Sequence, residues 1–151
     1  MKILGIDPGS ISAAYALINT EEPFDNVLEC ANVPVANKQV DADGFCRILL
    51  THLPDVAIIE TVGAMPKQGV SSAFRFGVGV GMLRGVVQSL HIPLHEVAAS
   101  KWKKHFGLNS DAEKSRARAI AMFPNTDLRL KKDHNRAEAL LLALYYQETF
   151  K

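Results

Sequence analysis

Two short apolar runs, each ending in a carboxylate, constrain this chain more than any other feature. The first is Ile3-Leu-Gly-Ile6, which stops at Asp7 before Pro8 and Gly9 turn the chain. The second is Val56-Ala-Ile-Ile59, which stops at Glu60. A continuous apolar run of this length predicts a strand buried on both faces. A carboxylate at the tip of such a strand is costly to hold unless a cation or hydrogen-bond donor meets it. Asp7 alone has two readings: a cap on the Pro-Gly turn, or a metal ligand. Glu60 repeats the construction and favours the second.

The segments between these runs predict their setting. Ile11 to Asn19 reads as a second strand, Glu21 to Asp25 as a polar turn, and Asn26 to Val35 as a third strand. Three consecutive strands suggest an antiparallel meander. Ala36 to Val40 reads as a loop. Asp41 to Leu53 has the stripe of a helix in Phe45, Ile48, Leu49 and Leu53, and Pro54 stops it. After Glu60 comes a loop from Thr61 to Gly69, and then a long apolar helix from Val70 to His91. Arg75 and Arg84 interrupt that helix, so a membrane span is rejected. Ala73, Gly77, Gly81 and Gly85 form a ridge of small residues along it, read as tight packing on the molecule's own sheet or as a homodimer contact. Pro93 to Val97 is a short strand, and Ala98 to Phe106 follows. Ser110 or Asp111 caps a helix through Met122. A final helix runs from about His134 to Phe150. The order predicts one α/β domain over residues 1–151, with a mixed sheet and helices on both faces.

Composition narrows the partner and the compartment. The net charge is +1, but the halves differ. Residues 1–100 hold 6 Lys/Arg against 10 Asp/Glu, a net −4, and residues 101–151 hold 11 against 6, a net +5. A basic half suits a polyanion. Cys30 and Cys46 match neither a disulfide framework nor a zinc spacing, which suits a reducing compartment. No basic stretch followed by an apolar segment suggests a signal peptide, so a cytoplasmic protein is expected.

The last helix supplies a third carboxylate. Glu138 lies one turn in, on a side shared with Leu141, Leu142 and Tyr145, and His134 four residues earlier points the same way. If both strand tips are neighbours and this helix crosses them, Asp7, Glu60 and Glu138 meet. Three carboxylates together repel and raise one another's pKa. Divalent cations relieve this, and oxygen ligands with open positions suit Mg²⁺ or Mn²⁺. Two such ions can bind the attacking and leaving oxygens of a phosphodiester.

Three blocks carry a resemblance: Ile3-Leu-Gly-Ile-Asp-Pro-Gly-Ser10, Ile58-Ile-Glu-Thr-Val with Met65 through Phe74, and Asp133-His-Asn-Arg-Ala-Glu-Ala through Ala143. With Ser100-Lys-Trp-Lys-Lys-His-Phe-Gly107, they resemble the RuvC-like Holliday junction resolvases of the RNase H-like superfamily, in their compact phage and bacterial form. The resemblance implies an RNase H-like five-stranded mixed sheet, a homodimer, and resolution of four-way DNA junctions by paired metal-dependent nicks. The ends would be 5′-phosphate and 3′-hydroxyl, and two Mg²⁺ would serve each site, with Mn²⁺ as substitute. It places the catalytic roles on Asp7, Glu60, Glu138 and His134, with Asp133 and Asn135 as further possible ligands. Asn135 stands where many members carry Asp. A junction binder that has lost cleavage is therefore an alternative, as is an RNA-processing nuclease of the same superfamily. Lys67, Gln68, Arg75, Lys101, Lys103, Lys104, Lys114, Arg116 and Arg118 are the expected DNA contacts, with Lys103 and Lys114 nearest the scissile strand. Gly63 lies where the family has an aromatic that wedges into the junction, leaving Met65 as the sizeable apolar residue of that loop.

Overall fold

The computed structural model describes residues 1–22, 26–64 and 67–150. Met65, and with it the wedge expectation, lies outside the described residues, as does the end of the 21–25 turn.

Strand β1 (Lys2–Asp7) is the centre of a five-stranded sheet. It pairs antiparallel with β2 (Ala14–Asn19), which pairs antiparallel with β3 (Val27–Asn32). On its other side it pairs in parallel with β6 (Val56–Thr61), and β6 with β7 (Leu94–Ala98). The mixed sheet expected from the order of elements is present. The third strand is shorter than its sequence suggests. Pro34, which has no amide hydrogen, follows it, and the expected 36–40 loop is a small hairpin of β4 (Val35–Ala36) and β5 (Gln39–Val40). The two residues between them, Asn37 and Lys38, have φ of 52° and 58°. That is the left-handed geometry a two-residue hairpin turn demands.

The period of two along β1 sorts its side chains into two cores. Leu4 and Ile6 face α1 (Ala42–His52) and α2 (Val70–Ser89), packing with Phe45, Leu49, Leu83 and Val87. Ile3 faces the other way, with Ile58 and Val56 of β6, toward α3 (Ala99–His105), α4 (Ala112–Met122) and α5 (His134–Thr149). A single 3₁₀ turn, Lys131–Asp133, leads into α5. Residues Ala137 to Tyr145 are all buried. This helix is apolar around its whole circumference because it lies under the sheet on one side and α4 on the other.

Gly5 sets how close α5 comes. A Cβ at Gly5 would lie 2.1 Å from the Ala139 carbonyl oxygen and 2.8 Å from the Ala143 amide nitrogen. Only a residue without a side chain admits the helix backbone there. Gly79 does the same for α2, where a Cβ would stand 2.8 Å from the Gly9 carbonyl oxygen.

The expected glycine ridge is not what packs on the sheet. Gly79, Leu83, Val86 and Val87 are the buried residues of α2. Gly77, Gly81 and Gly85 have open space where a Cβ would be, and they line a surface groove of about 430 Å³ with Ala73. By length and composition α2 is apolar enough to cross a membrane. The sheet-facing residues bury one side of it, and Arg84 on the other side pairs with Glu96 of β7. Leu53 also departs from its expected stripe: it is the left-handed C-cap of α1, at φ 51°, and is exposed.

Gly5→Ala should cost more than the ~1–3 kcal/mol usual for overpacking, because the obstacle is helix backbone rather than a movable side chain. Thermal unfolding should show a Tm lowered by at least ~5 °C at ~2–4 °C per kcal/mol for a chain of this size. Gly63→Ala, with nothing within 4 Å, should leave Tm within ~2 °C.

Candidate active site

The strand registers bring Asp7 and Glu60 to one place. Ile6 pairs with Ile59, and each carboxylate is the next residue along its parallel strand. Alternation puts both on the α5 side, with Ile3 and Ile58. On α5, Glu138 precedes Ala139, the residue whose carbonyl rests against Gly5. The close approach at Gly5 therefore carries Glu138 over the tip of β1. Asp7 and Glu138 are only 9% and 8% exposed.

The electrostatics record the convergence. The Asp7 carboxyl is pushed well above its ordinary value of 3.8, first by burial, then by the charges of Glu138 and Glu60, with Lys103 opposing. Glu60 is pushed up by burial, and the Trp102 hydrogen bond and Lys103 offset part of that rise while Glu138 adds to it. Asp7 has no hydrogen-bond partner among the described residues.

Helix α3 supplies the groups that make the cluster tolerable. The indole Nε1–H of Trp102, fully buried, donates to Glu60 Oε2 at 2.7 Å. Lys103 Nζ donates to Glu138 Oε1 at 2.9 Å and lies 5.1 Å from the Trp102 ring centroid. The sequence reading gave Trp102 no role of its own. Its signal was available: a buried indole N–H seeks an acceptor, and Trp102 is the chain's one tryptophan. Lys103, an expected phosphate contact, has its ammonium on Glu138 in the DNA-free chain.

The start of α5 is arranged differently from the sequence expectation. Asp133 is not directed at the carboxylates. Its Oδ1 pairs with Arg136 at 2.8 Å and its Oδ2 accepts the Leu130 amide at 2.8 Å. Burial raises this carboxyl, but those two donors outweigh it and hold it below the usual range. His134 turns its Nδ1 to the Lys131 carbonyl, 3.2 Å away. Residue spacing aligned it with Glu138, but the 3₁₀ turn preceding the helix supplies a nearer partner. Asn135 Nδ2 donates to the Ser12 carbonyl at 2.9 Å. It ties the loop after Asp7 to the helix that carries Glu138.

The expected DNA contacts fall into two groups. Lys67, Arg75, Lys101, Lys104, Lys114 and Arg118 are exposed, and Gln68 is half-buried. Arg116 is committed to structure: it pairs with Glu113 and donates to the Leu128 and Arg129 carbonyls at 2.8 and 3.2 Å, fastening the segment before α5.

The donors fit a hard divalent cation: three carboxylates, two of them raised by burial first and then by the Glu138 charge, with one ammonium among them. The cluster is open. Among the described residues no three acidic, histidine or cysteine side chains stand close enough to enclose an ion as they are.

A family model described as "Crossover junction endodeoxyribonuclease RuvC" matches residues 3–146. Proteins bearing that description include one from Methylorubrum populi, 27% identical over 95% of this chain and 78% of that protein. Another, from Vibrio atlanticus, is 28% identical over 99% of this chain and 88% of its own. Among solved structures, T. thermophilus RuvC in complex with Holliday junction substrate superposes with a TM-score of 0.74 at 15% identity, covering 99% of this chain and 96% of that one. The fowlpox virus Holliday junction resolvase superposes at 0.63 with 17% identity, covering both chains fully. At these identities the structures show a shared fold.

A carboxyl whose pKa is raised by folding binds its proton more tightly in the folded chain. Its stabilising contribution is complete below the ordinary value, 3.8 for Asp7, and is lost as pH rises through the raised value. In EDTA at pH 7, Asp7→Asn should therefore raise Tm by ~2–4 °C, the effect of about 1 kcal/mol at this size. The gain should vanish as pH falls toward 4, which pH-dependent calorimetry of both chains reads directly.

Proposed function

We infer that this chain, which belongs to the RuvC family of crossover junction endodeoxyribonucleases, resolves four-way DNA junctions through the Asp7–Glu60–Glu138 cluster. What supports the reading is that Asp7 and Glu60 end adjacent parallel strands while consecutive residues of α3, Trp102 and Lys103, bond Glu60 and Glu138. The family is metal-dependent, and Asp7, Glu60 and Glu138 are the residues that would hold the ions. We assign two Mg²⁺ per site, with Mn²⁺ able to substitute. Ions held there would supply Lewis acidity, acidifying a water and neutralising charge on the attacked phosphate. In-line displacement then leaves 5′-phosphate and 3′-hydroxyl ends.

The chain's own groups prepare that chemistry. Trp102 fixes one oxygen of Glu60. Lys103 holds Glu138 in the DNA-free protein and exchanges it for a phosphate oxygen when substrate arrives. Lys101, Lys104, Lys114 and Arg118, all exposed on the same side of the sheet, neutralise backbone phosphates. Asn135 holds the Asp7 loop through Ser12 rather than adding a charged ligand. A neutral residue there also keeps a junction binder without cleavage as the second reading. We place the work of the protein in the cytoplasm, with its DNA substrate and its free cysteines.

A four-way junction has two-fold symmetry, and a C₂ pair sets one site on each of two opposed strands. The outward ridge of Ala73, Gly77, Gly81 and Gly85 is our candidate for the shared face. It is apolar, lines a surface groove and is uncovered in the single chain.

A labelled four-way junction, a linear duplex and an RNA–DNA hybrid incubated in Mg²⁺ separate the alternatives. Paired symmetric nicks confined to the junction are expected, and equal cutting of the duplex would sink the assignment. Cleavage of the hybrid alone would point to RNA processing. Asp7→Asn should cut activity by more than the ~10–100-fold that loss of an outer-shell partner costs, with junction binding retained. Gly81→Arg should shift sedimentation from dimer to monomer. An unchanged sedimentation coefficient would remove the ridge from the interface.

A further inference from the structure

A second groove opens on the opposite side of the sheet from the lysines of α3 and α4. Its volume is about 740 Å³. The β1–β2 loop forms one wall through Ser10 and Ile11, the β4–β5 hairpin another through Val35 and Lys38, and the first turns of α2 a third through Arg75 and Phe76. All three pieces lie at the carboxyl ends of the parallel strands, the end of the sheet that carries Asp7 and Glu60. Ser10 is three residues from Asp7, a reach of at most about 10 Å. Gly79 presses α2 onto the Gly9 carbonyl, so the turn that presents Asp7 is also the near wall of the groove.

The lining has one sign of charge. No acidic residue lines it among the described residues. Lys38 is exposed, and among the described residues it forms no ion pair, while the hydrogen bond of Arg75 there is to the Ser71 carbonyl, through Nε at 3.4 Å. Lys38 is also held in place. It occupies the left-handed position of a two-residue turn, at φ 58°, so its stem leaves a short rigid hairpin rather than a long loop. Between the two cations stand apolar surfaces: Ile11 and Val35 are 58% and 46% exposed, and Phe76 offers an aromatic ring. Cations that track phosphates beside an apolar and aromatic wall are the components of a site for unstacked nucleotides. A duplex exposes phosphates and groove edges but keeps its base faces stacked, so it leaves such walls unused.

We propose that this groove holds unpaired nucleotides of one DNA strand beside the phosphate to be cut, with Lys38 and Arg75 on its phosphates and the Ile11–Val35–Phe76 wall against a base. The assignment rests on the nuclease reading of the neighbouring cluster and extends it. The substrate strand passes over the tip of the sheet, from the lysines of α3 and α4 on one face to this groove on the other. The crossover of a junction is where a strand leaves one stack for another, and it can supply such nucleotides.

The test uses the full chain carrying Asp7→Asn, so that DNA is bound and not cut. Binding of a four-way junction, a thymidine oligomer and a linear duplex is measured by fluorescence anisotropy between 50 and 200 mM KCl. Lys38→Asn combined with Arg75→Gln is compared with the parent. Asn tolerates the left-handed backbone at 38. Arg47→Ala, at an ion-paired cation of α1, is the control. Loss of two single-strand phosphate contacts should make the log–log salt slope shallower by ~1.4. Junction and oligomer binding should weaken about tenfold at the lower salt, while the duplex and the Arg47 control change less than about twofold. Unchanged slopes for junction and oligomer would overturn the groove assignment, while junction binding by the parent would leave the junction-recognition part of the proposed function standing. Equal weakening of all three DNAs would overturn it in favour of duplex phosphates. A parent that binds the oligomer but not the junction, with the slope change present, would uphold the groove and remove the resolvase reading.

Discussion

The contact between Gly5 and the backbone of α5 is the constraint on which the rest of the molecule depends. A helix normally rests on a sheet through side chains, which keep its backbone at a distance. At Gly5 that layer is missing, and the Ala139 carbonyl and Ala143 amide come within a side chain's length of the strand. Ala139 and Ala143 are themselves the smallest residues that keep a helix favourable. The consequence is local and chemical. Glu138 adjoins the contact, and Asp7 lies two residues along the strand from it. Moving the helix outward by the width of a methyl group would carry Glu138 away from Asp7, whose carboxyl its charge helps to hold above the ordinary value.

That arrangement stores unfavourable electrostatics, and α3 is built to contain them. Its residues 102 and 103 are consecutive, yet each reaches a different carboxylate: the indole bonds Glu60 and the ammonium bonds Glu138. The ammonium is the mobile half of this pair. A lysine is a compact cation on a flexible stem, well suited to hold a carboxylate in the free protein and a phosphate in the complex. The tryptophan is the fixed half, fully buried and unable to leave without opening the core. Among the described residues no donor meets the Asp7 carboxyl. The least compensated charge is thus on the central strand, where a divalent cation would relieve the most repulsion.

Several features were legible because they depend on short-range rules. The two apolar runs and their terminal carboxylates predicted buried strands ending in one functional place, and β1 and β6 have that form. The uncapped apolar length of α2 was legible, but the side it buries was not. Its low amphipathicity gives no preferred face, and the sheet takes Gly79, Leu83, Val86 and Val87 while the more conspicuous glycine ridge stays outside. The hairpin at 35–40 was read as a loop because two-residue strands carry too few alternations to register, and Asn-Lys is a weaker turn signal than Asn-Gly. At the start of α5, helical spacing pairs His134 with Glu138 but does not contain the 3₁₀ turn. That turn satisfies His134 and Asp133 locally through Lys131, Leu130 and Arg136.

What the sequence by itself determined is the inventory: which strands are buried on both faces, which carboxylates end them, and that a third acid rides on an apolar helix. Periodicity and the cost of burying charge are enough for that, since both act within a few residues. Tertiary structure alone decided who answers each charge. That Lys103 rests on Glu138 in the DNA-free chain, that Asp133 is taken by Arg136 and the Leu130 amide, and that Asn135 reaches the Ser12 carbonyl depend on which groups lie within 3 Å once the segments pack. The physical reason is that a buried polar group takes the compensation the fold brings within reach, and spacing along the chain does not contain those distances.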